Sequence, residues 1–339
     1  MKLKTTHDVD ALWRAATAAA VLGAAIETGL LWLLGEKPLS ALEIVQALGI
    51  PGKRGYYWLQ LLENVGILES GPHGYAPSSL VRETILETRS EESWKHLVVD
   101  ERERIAGVSN LAPYIREPGS IWAAQGLPAR TDYVAKMRSN PARAREFTRM
   151  LFEVHQPLAK AVSELLGGLL DMTGVQRLMD LGGGSGVVSM ALLRKYPALQ
   201  ATVVDIENVC IAGREIATEE GLADRISYHP AEFAHDEFPT GFDLVIKCDV
   251  IVFGVWLFKK LWQVLKPGGR LVFVEHLSPT EYSAPPTRVE WTFLDSLVDP
   301  YFSIPTLTQV QSMLTQAGFQ LMPGQHTFGS GWVVFQARK

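Results

Sequence analysis

The chain has 339 residues and a formal charge of −5, and it is 47% hydrophobic and 20% charged. That length allows two domains, and the composition is that of an ordinary folded protein, which sets aside disordered and fibrous classes. The mild acidity argues against nucleic acid as a partner, and two cysteines, Cys210 and Cys248, are too few for a disulfide framework and suit a reducing cytoplasm. The first ten residues are polar and no small-residue cleavage site follows, so no signal peptide is expected. Next, Ala11 to Leu34 is long and apolar enough to be weighed as a membrane span. Arg14 and Glu27 interrupt it, and Gly23 and Gly29 weaken a lone helix. The expectation is therefore a buried helix at a subunit interface, with no membrane partner.

In Pro38–Gly49, Ser40 is placed to cap a helix, Glu43 completes a capping box and Gly49 ends it. The following helix sets Tyr57, Leu61, Leu62 and Val65 on one apolar face and stops at Gly66. Ile67–Ser70 and Gly74–Pro77 read as short strands around a Gly-Pro-His-Gly turn. Three helices and a hairpin make a winged-helix outline. Winged helices often bind DNA through a basic recognition helix. Here Lys53 and Arg54 stand near the helix start, and mostly apolar residues and Glu63 follow, which is a poor face for phosphates.

Residues 81–150 carry Trp94, Tyr114, Trp122, Tyr133 and Met137 on expected helices. Asn140-Pro141 opens another, with the proline suited to a first turn, and it runs through Phe147, Met150, Leu151, Val154 and His155 until Pro157 kinks it or starts a new one. Val175 and Leu178 then lead into Leu178-Met179-Asp180-Leu181-Gly182-Gly183-Gly184-Ser185-Gly186, and Val187–Leu193 reads as a helix. Strand, glycine turn and helix is how an α/β sheet receives a nucleotide-like ligand. The glycines at 182, 184 and 186 depart from the Gly-x-Gly-x-x-Gly spacing of dinucleotide sites. A second apolar run, Ala201–Val204, ends at Asp205, where a carboxylate can meet ribose hydroxyls; a third, Phe242–Ile246, follows, and Leu265-Lys266-Pro267-Gly268-Gly269-Arg270 leads into Leu271–Glu275.

Asp-Leu-Gly-Gly-Gly-Ser-Gly, then Val-Val-Asp-Ile, then Lys-Pro-Gly-Gly before a strand resembles a class I S-adenosylmethionine-dependent methyltransferase. Within that class the chain is similar to the small-molecule O-methyltransferases, whose plant and bacterial members act on phenols, polyketides and pigments. The resemblance covers nearly the whole chain. It implies an α/β fold, with a Rossmann-like seven-stranded sheet behind a mostly helical winged-helix dimerisation domain. The implied divisions are 1–90 for dimerisation, 91–160 for a helical linker lining the substrate pocket, and 161–339 for the catalytic domain. It implies S-adenosyl-L-methionine as cofactor, bound by Asp180, Gly182, Gly184, Gly186, Asp205 and Ile206. Glu232 and Phe233 stand where the family has Gly-Asp-Phe or Gly-Asp-Met for the adenine, and Lys247 stands where it often carries a basic residue by the cofactor. Met150, Phe253 and Trp291 are implied on the substrate side, with no metal, and a homodimer is expected through the N-terminal domain.

The pattern breaks after the fourth strand. The family reads roughly Val-Leu-His-Asp-Trp there, and the histidine is the general base; this chain reads Asp249-Val250-Ile251-Val252-Phe253-Gly254. Methyl transfer from a sulfonium needs no acid, because the leaving group is a neutral thioether; placement in a dry site matters more, and a base helps a hydroxyl or an acidic carbon. Three readings stay open. Another residue serves as base, with His155 and Asp295 foremost and Asp249 and Glu290 behind them. The acceptor is nitrogen or carbon. Or the protein is an isomerase or cyclase using the bound cofactor as a fixed charge. Towards the end, Arg288–Asp295 reads as a helix with 291, 294, 295 and 298 on one face. Trp332–Ala337 suits a final strand, which the resemblance implies is antiparallel.

Overall fold

The computed structural model describes residues 3–127 and 133–339, and the chain forms two compact units, Met1–Arg102 and Glu103–Lys339. The first comprises α1 (Thr6–Glu27), α2 (Leu30–Glu36), α3 (Ala41–Ala47), α4 (Gly52–Asn64), a hairpin of β1 (Leu68–Gly71) and β2 (Gly74–Pro77), and α5 (Ser79–Val81) running into a π-turn. A long helix, α6 (Glu91–Val108), contains the boundary. Residues 103–127 and 133–160 cluster with the C-terminal unit. The physical reason is packing: Met137 and Ala144 share an apolar cluster with Ile206 and Val209, and Ala159 joins the main core.

The stretch Ala11–Leu34 does not form one helix. It breaks at Gly29, whose φ of 74° a glycine adopts without penalty. Nor is it buried along its length. Ala25 and Ile26 enter the core with Leu30, Leu31 and Leu34, whereas Trp13 is 80% exposed and Leu12 53% exposed. The expected burial holds only for the C-terminal end of α1; the whole helix, Thr6–Glu27, is long and apolar enough, at a mean hydropathy of 1.4, to cross a membrane. The capping box at α3 forms as read: Ser40 Oγ accepts from the Glu43 amide at 3.3 Å, and Glu43 Oε2 accepts from the Ser40 amide at 2.8 Å.

In the second unit α7 (Ile121–Ala124), α8 (Tyr133–Ser139), α9 (Pro141–Val154) and α10 (Gln156–Leu169) precede a seven-stranded sheet. Asn140 Oδ1 caps α9 by accepting from the Arg143 amide at 3.0 Å, and Pro157 lies in the first turn of α10. The strands are β3 (Arg177–Leu181), β4 (Gln200–Asp205), β5 (Ile226–Pro230), β6 (Phe242–Cys248), β7 (Leu265–Glu275), β8 (Gln320–Phe328) and β9 (Trp332–Arg338), in the order β5-β4-β3-β6-β7-β9-β8. The first five run parallel; β9 pairs antiparallel with both β7 and β8.

Strand periodicity divides the core. Leu178, Leu244 and Ile246 face one way, into a cluster with α10, α11 (Val187–Lys195) and α12 (Glu207–Glu219). Met179, Leu181 and Val245 face the other way, toward α13 (Val255–Val264) and α15 (Leu307–Gln316). In chain order, α14 (Val289–Ser296) falls between these last two. Because β3 sits between β4 and β6, the chain leaves neighbouring strands in opposite directions, which opens a crevice beyond their carboxyl ends.

Candidate active site

The glycine turn occupies that crevice. Gly182 has φ 64°, and a Cβ there would lie 2.7 Å from the Val250 side chain, so β6's exit loop rests against the turn. A Cβ on Gly186 would lie 2.8 Å from Ile226 and 3.1 Å from Val203, so this glycine lets α11 approach the strands. Tyr228 reinforces the contact by donating to the Ser185 carbonyl at 2.7 Å.

Two carboxylates are built into this turn. Asp205, at the end of β4, accepts from the Gly184 amide at 2.9 Å and from the Ile206 amide at 2.7 Å. Asp180, near the end of β3, accepts from Ser189 Oγ at 2.7 Å, and the glycine at 183 leaves it room, since a Cβ there would lie 2.5 Å from its carboxyl carbon. Only 5% of Asp205 and 1% of Asp180 is exposed. Burial pushes Asp205 up to about 6 against the pull of its two amides. Burial likewise raises Asp180 to about 6, opposed by Ser189 and assisted by the Asp205 charge. Two dehydrated anions sharing one turn favour a ligand that brings hydroxyl donors and a positive charge. This pair of acceptors therefore fits S-adenosylmethionine, which brings ribose hydroxyl donors and cationic groups. Asp180 lies inside the turn, bound to the wholly buried Ser189.

The other expected residues fall in distinct places. Phe233 reaches the turn, its ring tip 3.5 Å from a Cβ at Gly182, and packs edge-on against Phe238. Glu232 is half-buried and ion-paired with Arg138 of α8, a partner that sequence reading did not anticipate. Asn208 ties α8 down from α12 by donating to the Met137 carbonyl at 2.9 Å. Ile206 is buried beside Val209 and Met137.

Lys247 is wholly enclosed. Its ammonium pairs with Glu275 at 2.5 Å, donates to the Val250 carbonyl and sits 3.9 Å from the centroid of Phe253. Burial drives Lys247 down and Glu275 up, and their mutual attraction opposes both shifts. The expected cofactor-side lysine thus fastens the β6 exit loop to β7, and Phe253 packs on it. A charge in each of two apolar strands was the available signal for this pair.

Met150 is buried on α9 and His155 is half-buried at the junction of α9 and α10. Trp291 and Asp295 are half-buried on α14, with Trp291 edge-on to Phe302. Sequence reading passed over Arg288, at the start of that helix. It donates to Asp249 at 2.9 Å and lies 5.4 Å from the Trp291 ring and 5.2 Å from the Trp332 ring. Among the described residues no cluster of His, Cys, Asp and Glu is arranged to hold a metal.

Comparison with known proteins agrees with this geometry. Residues 111–320 match the profile of the O-methyltransferase domain. The chain is 25% identical over 327 residues to an L-tyrosine C(3)-methyltransferase of Streptomyces lavendulae, covering 94% of this chain and 87% of the relative. It is 30% identical over 245 residues to a 3-hydroxy-5-methyl-1-naphthoate 3-O-methyltransferase of Streptomyces sahachiroi, covering 69% and 64%. The fold is shared with an O-methyltransferase family protein from Burkholderia thailandensis at a TM-score of 0.82 and 16% identity, covering 100% and 99% of the two chains. Human N-acetylserotonin methyltransferase, solved with S-adenosylmethionine, shares it at a TM-score of 0.77 and 22% identity, covering 100% and 99%. Glycine turn, paired acids, sheet order and these matches agree: the chain belongs to the O-methyltransferase family and is an S-adenosylmethionine-dependent methyltransferase.

Proposed function

We propose that the protein transfers a methyl group to a small, flat, aromatic acceptor of natural-product or pigment type. The observation that carries the cofactor-dependent part of this reading is the pair of buried carboxylates, Asp180 and Asp205, locked around the glycine turn at the carboxyl edge of the sheet. When bound, the cofactor supplies an electrophilic methyl on sulfur. Asp205 would hold the ribose hydroxyls, the backbone of Gly182, Gly184 and Gly186 the sugar and amino-acid portions, and Phe233 the adenine. Glu232, ion-paired with Arg138, would accept from the adenine amino group. Trp291, Met150 and Phe253 wall the acceptor side. The printed names of two relatives, a tyrosine C-methyltransferase and a hydroxynaphthoate O-methyltransferase, support an aromatic acceptor and leave both carbon and oxygen open to attack.

The N-terminal unit, with its winged-helix outline, serves as a dimerisation domain. The exposed apolar residues Leu12 and Trp13 on α1 support this, because a surface helix of a lone chain gains nothing by presenting them to water. The free cysteines Cys210 and Cys248 suit work in the cytoplasm.

Calorimetric titration with S-adenosylmethionine and S-adenosylhomocysteine, followed by labelled-methyl transfer to an aromatic panel, tests the reading. Micromolar binding of both and label in an aromatic product are expected. Folded protein that binds neither would refute it.

A further inference from the structure

The family's histidine is missing from the β6 exit loop, yet a charged side chain stands one residue beyond the strand. Asp249 has φ 56°, in the left-handed region that L-residues avoid. Such strain persists only where the surroundings impose it, and it concentrates at functional sites. Here the restraints are visible. The Asp249 amide donates to the Val274 carbonyl at 3.0 Å, continuing the pairing of β6 with β7, and Asp249 Oδ2 accepts from Arg288 at 2.9 Å. The next residue, Val250, is the one that packs on Gly182. Asp249, paired with Arg288, thus sits one residue before the Val250 side chain that rests on the glycine turn.

Arg288 is itself fixed in a slot between Trp291 and Trp332. The neighbouring Thr287 hydroxyl donates to the Ser330 carbonyl at 2.7 Å, which anchors this segment to the turn between β8 and β9. Side-chain exposure is 20% for Arg288 and 19% for Asp249, and Asp249 Oδ1 is enclosed without a hydrogen-bond partner, so the pair is sheltered and one carboxylate oxygen is an unspent acceptor. It forms a polar pole in an aromatic wall. The other titratable or charged groups that act on it are Lys247, Cys248, Glu275 and His276. Lys247 and Glu275 are spent on each other, and His276 is buried against Trp332 with its ring centroid 4.0 Å away. Asp249 thus keeps, at this edge, one carboxylate oxygen outside any hydrogen bond.

Resting on the methyltransferase reading above, we propose that Asp249, aimed by Arg288, takes the place of the missing histidine: it accepts a hydrogen bond from an O–H or N–H of the aromatic acceptor and receives that proton during transfer. The acceptor's oxygen or nitrogen forms its bond to the methyl carbon while the carbon–sulfur bond breaks and its electron pair stays on sulfur. The proton passes to the Asp249 carboxylate and then to solvent. A carboxylate suffices as base because the O–H or N–H becomes strongly acidic as the new bond forms. Asp249 is the catalytic residue in this assignment and Arg288 a positioning residue.

The test uses Asp249→Asn, which removes the charge yet tolerates the same backbone conformation. With the protein saturated in S-adenosylhomocysteine, 2-naphthol and indole are titrated against 2-fluoronaphthalene and indene, which lack the donor. The wild type is expected to prefer at least one donor over its counterpart by about tenfold, the difference a charge-assisted hydrogen bond supplies, and the variant to lose that preference. In labelled-methyl assays with 2-naphthol, the variant is expected to be slower by ~10²-fold or more at neutral pH, with the deficit shrinking as the naphthol itself ionises at high pH. A purely structural residue would give a deficit independent of pH. No donor preference in the wild type, a preference that survives in the variant, or no methylation of any donor-bearing aromatic would overturn the proposal. Loss of S-adenosylhomocysteine binding by the wild type would instead overturn the reading beneath it.

Discussion

Asp205→Asn separates stability from function at the cofactor turn. The Asp205 carboxyl titrates at about 6 in the folded chain, against an ordinary value of 3.8, because burial outweighs the Ile206 and Gly184 amides. Between those values the folded state binds more protons than the unfolded one, so stability falls as pH rises through that window. The penalty is fully present above pH 7, and the displacement corresponds to about 3 kcal/mol. Asparagine removes the charge, retains one acceptor oxygen and forfeits one amide hydrogen bond worth about 1 kcal/mol. The ligand-free variant should therefore be more stable at pH 7.5 by up to about 2 kcal/mol, and its stability should vary less between pH 5 and 7. At the same time S-adenosylhomocysteine should bind at least tenfold more weakly, because ribose hydroxyls lose a charged acceptor. Urea unfolding across pH and calorimetric titration measure the two effects. A variant that is less stable at pH 7.5, or that keeps wild-type affinity, would refute this account.

Gly182→Ala forces a side chain onto a φ of 64° and within 2.7 Å of Val250, so it should destabilise the protein by about 1–3 kcal/mol and weaken cofactor binding, read by thermal melts and titration. Lys247→Met leaves Glu275 buried without its partner and should cost about 3–5 kcal/mol in urea unfolding, while the double variant Lys247→Met with Glu275→Leu should recover most of it. On the proposed dimerisation through α1, Trp13→Asp should shift sedimentation toward monomer and leave S-adenosylhomocysteine binding intact; a wild type that sediments as a monomer, or an oligomeric state that the variant leaves unchanged, would refute that role of α1.

Much of the fold was legible because short-range chemistry specifies it. Ser40 and Glu43 cap a helix whatever lies around them, and Asn140-Pro141 starts one. The hairpin follows from its turn, and the apolar runs ending in Asp180-Leu181-Gly182 and Asp205 have one plausible use. Two strands escaped this reading. Ile226–Pro230 is short, and Gln320–Phe328 is interrupted by Pro323 and Gly324, where its register against β9 shifts. The break at Gly29 was readable as a weakness, but the exposure of Trp13 was not, since an apolar helix looks the same whether it is buried by its own chain or by another.

The sequence by itself determined the sheet-and-glycine-turn framework and the family, because strand periodicity, glycine spacing and strand-end acids are written locally. Only the tertiary structure decided the fate of the charges. Lys247 and Glu275 lie 28 residues apart and meet because β6 and β7 are neighbours. Arg138 finds Glu232 across 94 residues, and Arg288 finds Asp249 across 39. A side chain's charge is visible in the sequence, but its partner and its dehydration depend on which distant segments the core brings together, and those two quantities set what the charge can do.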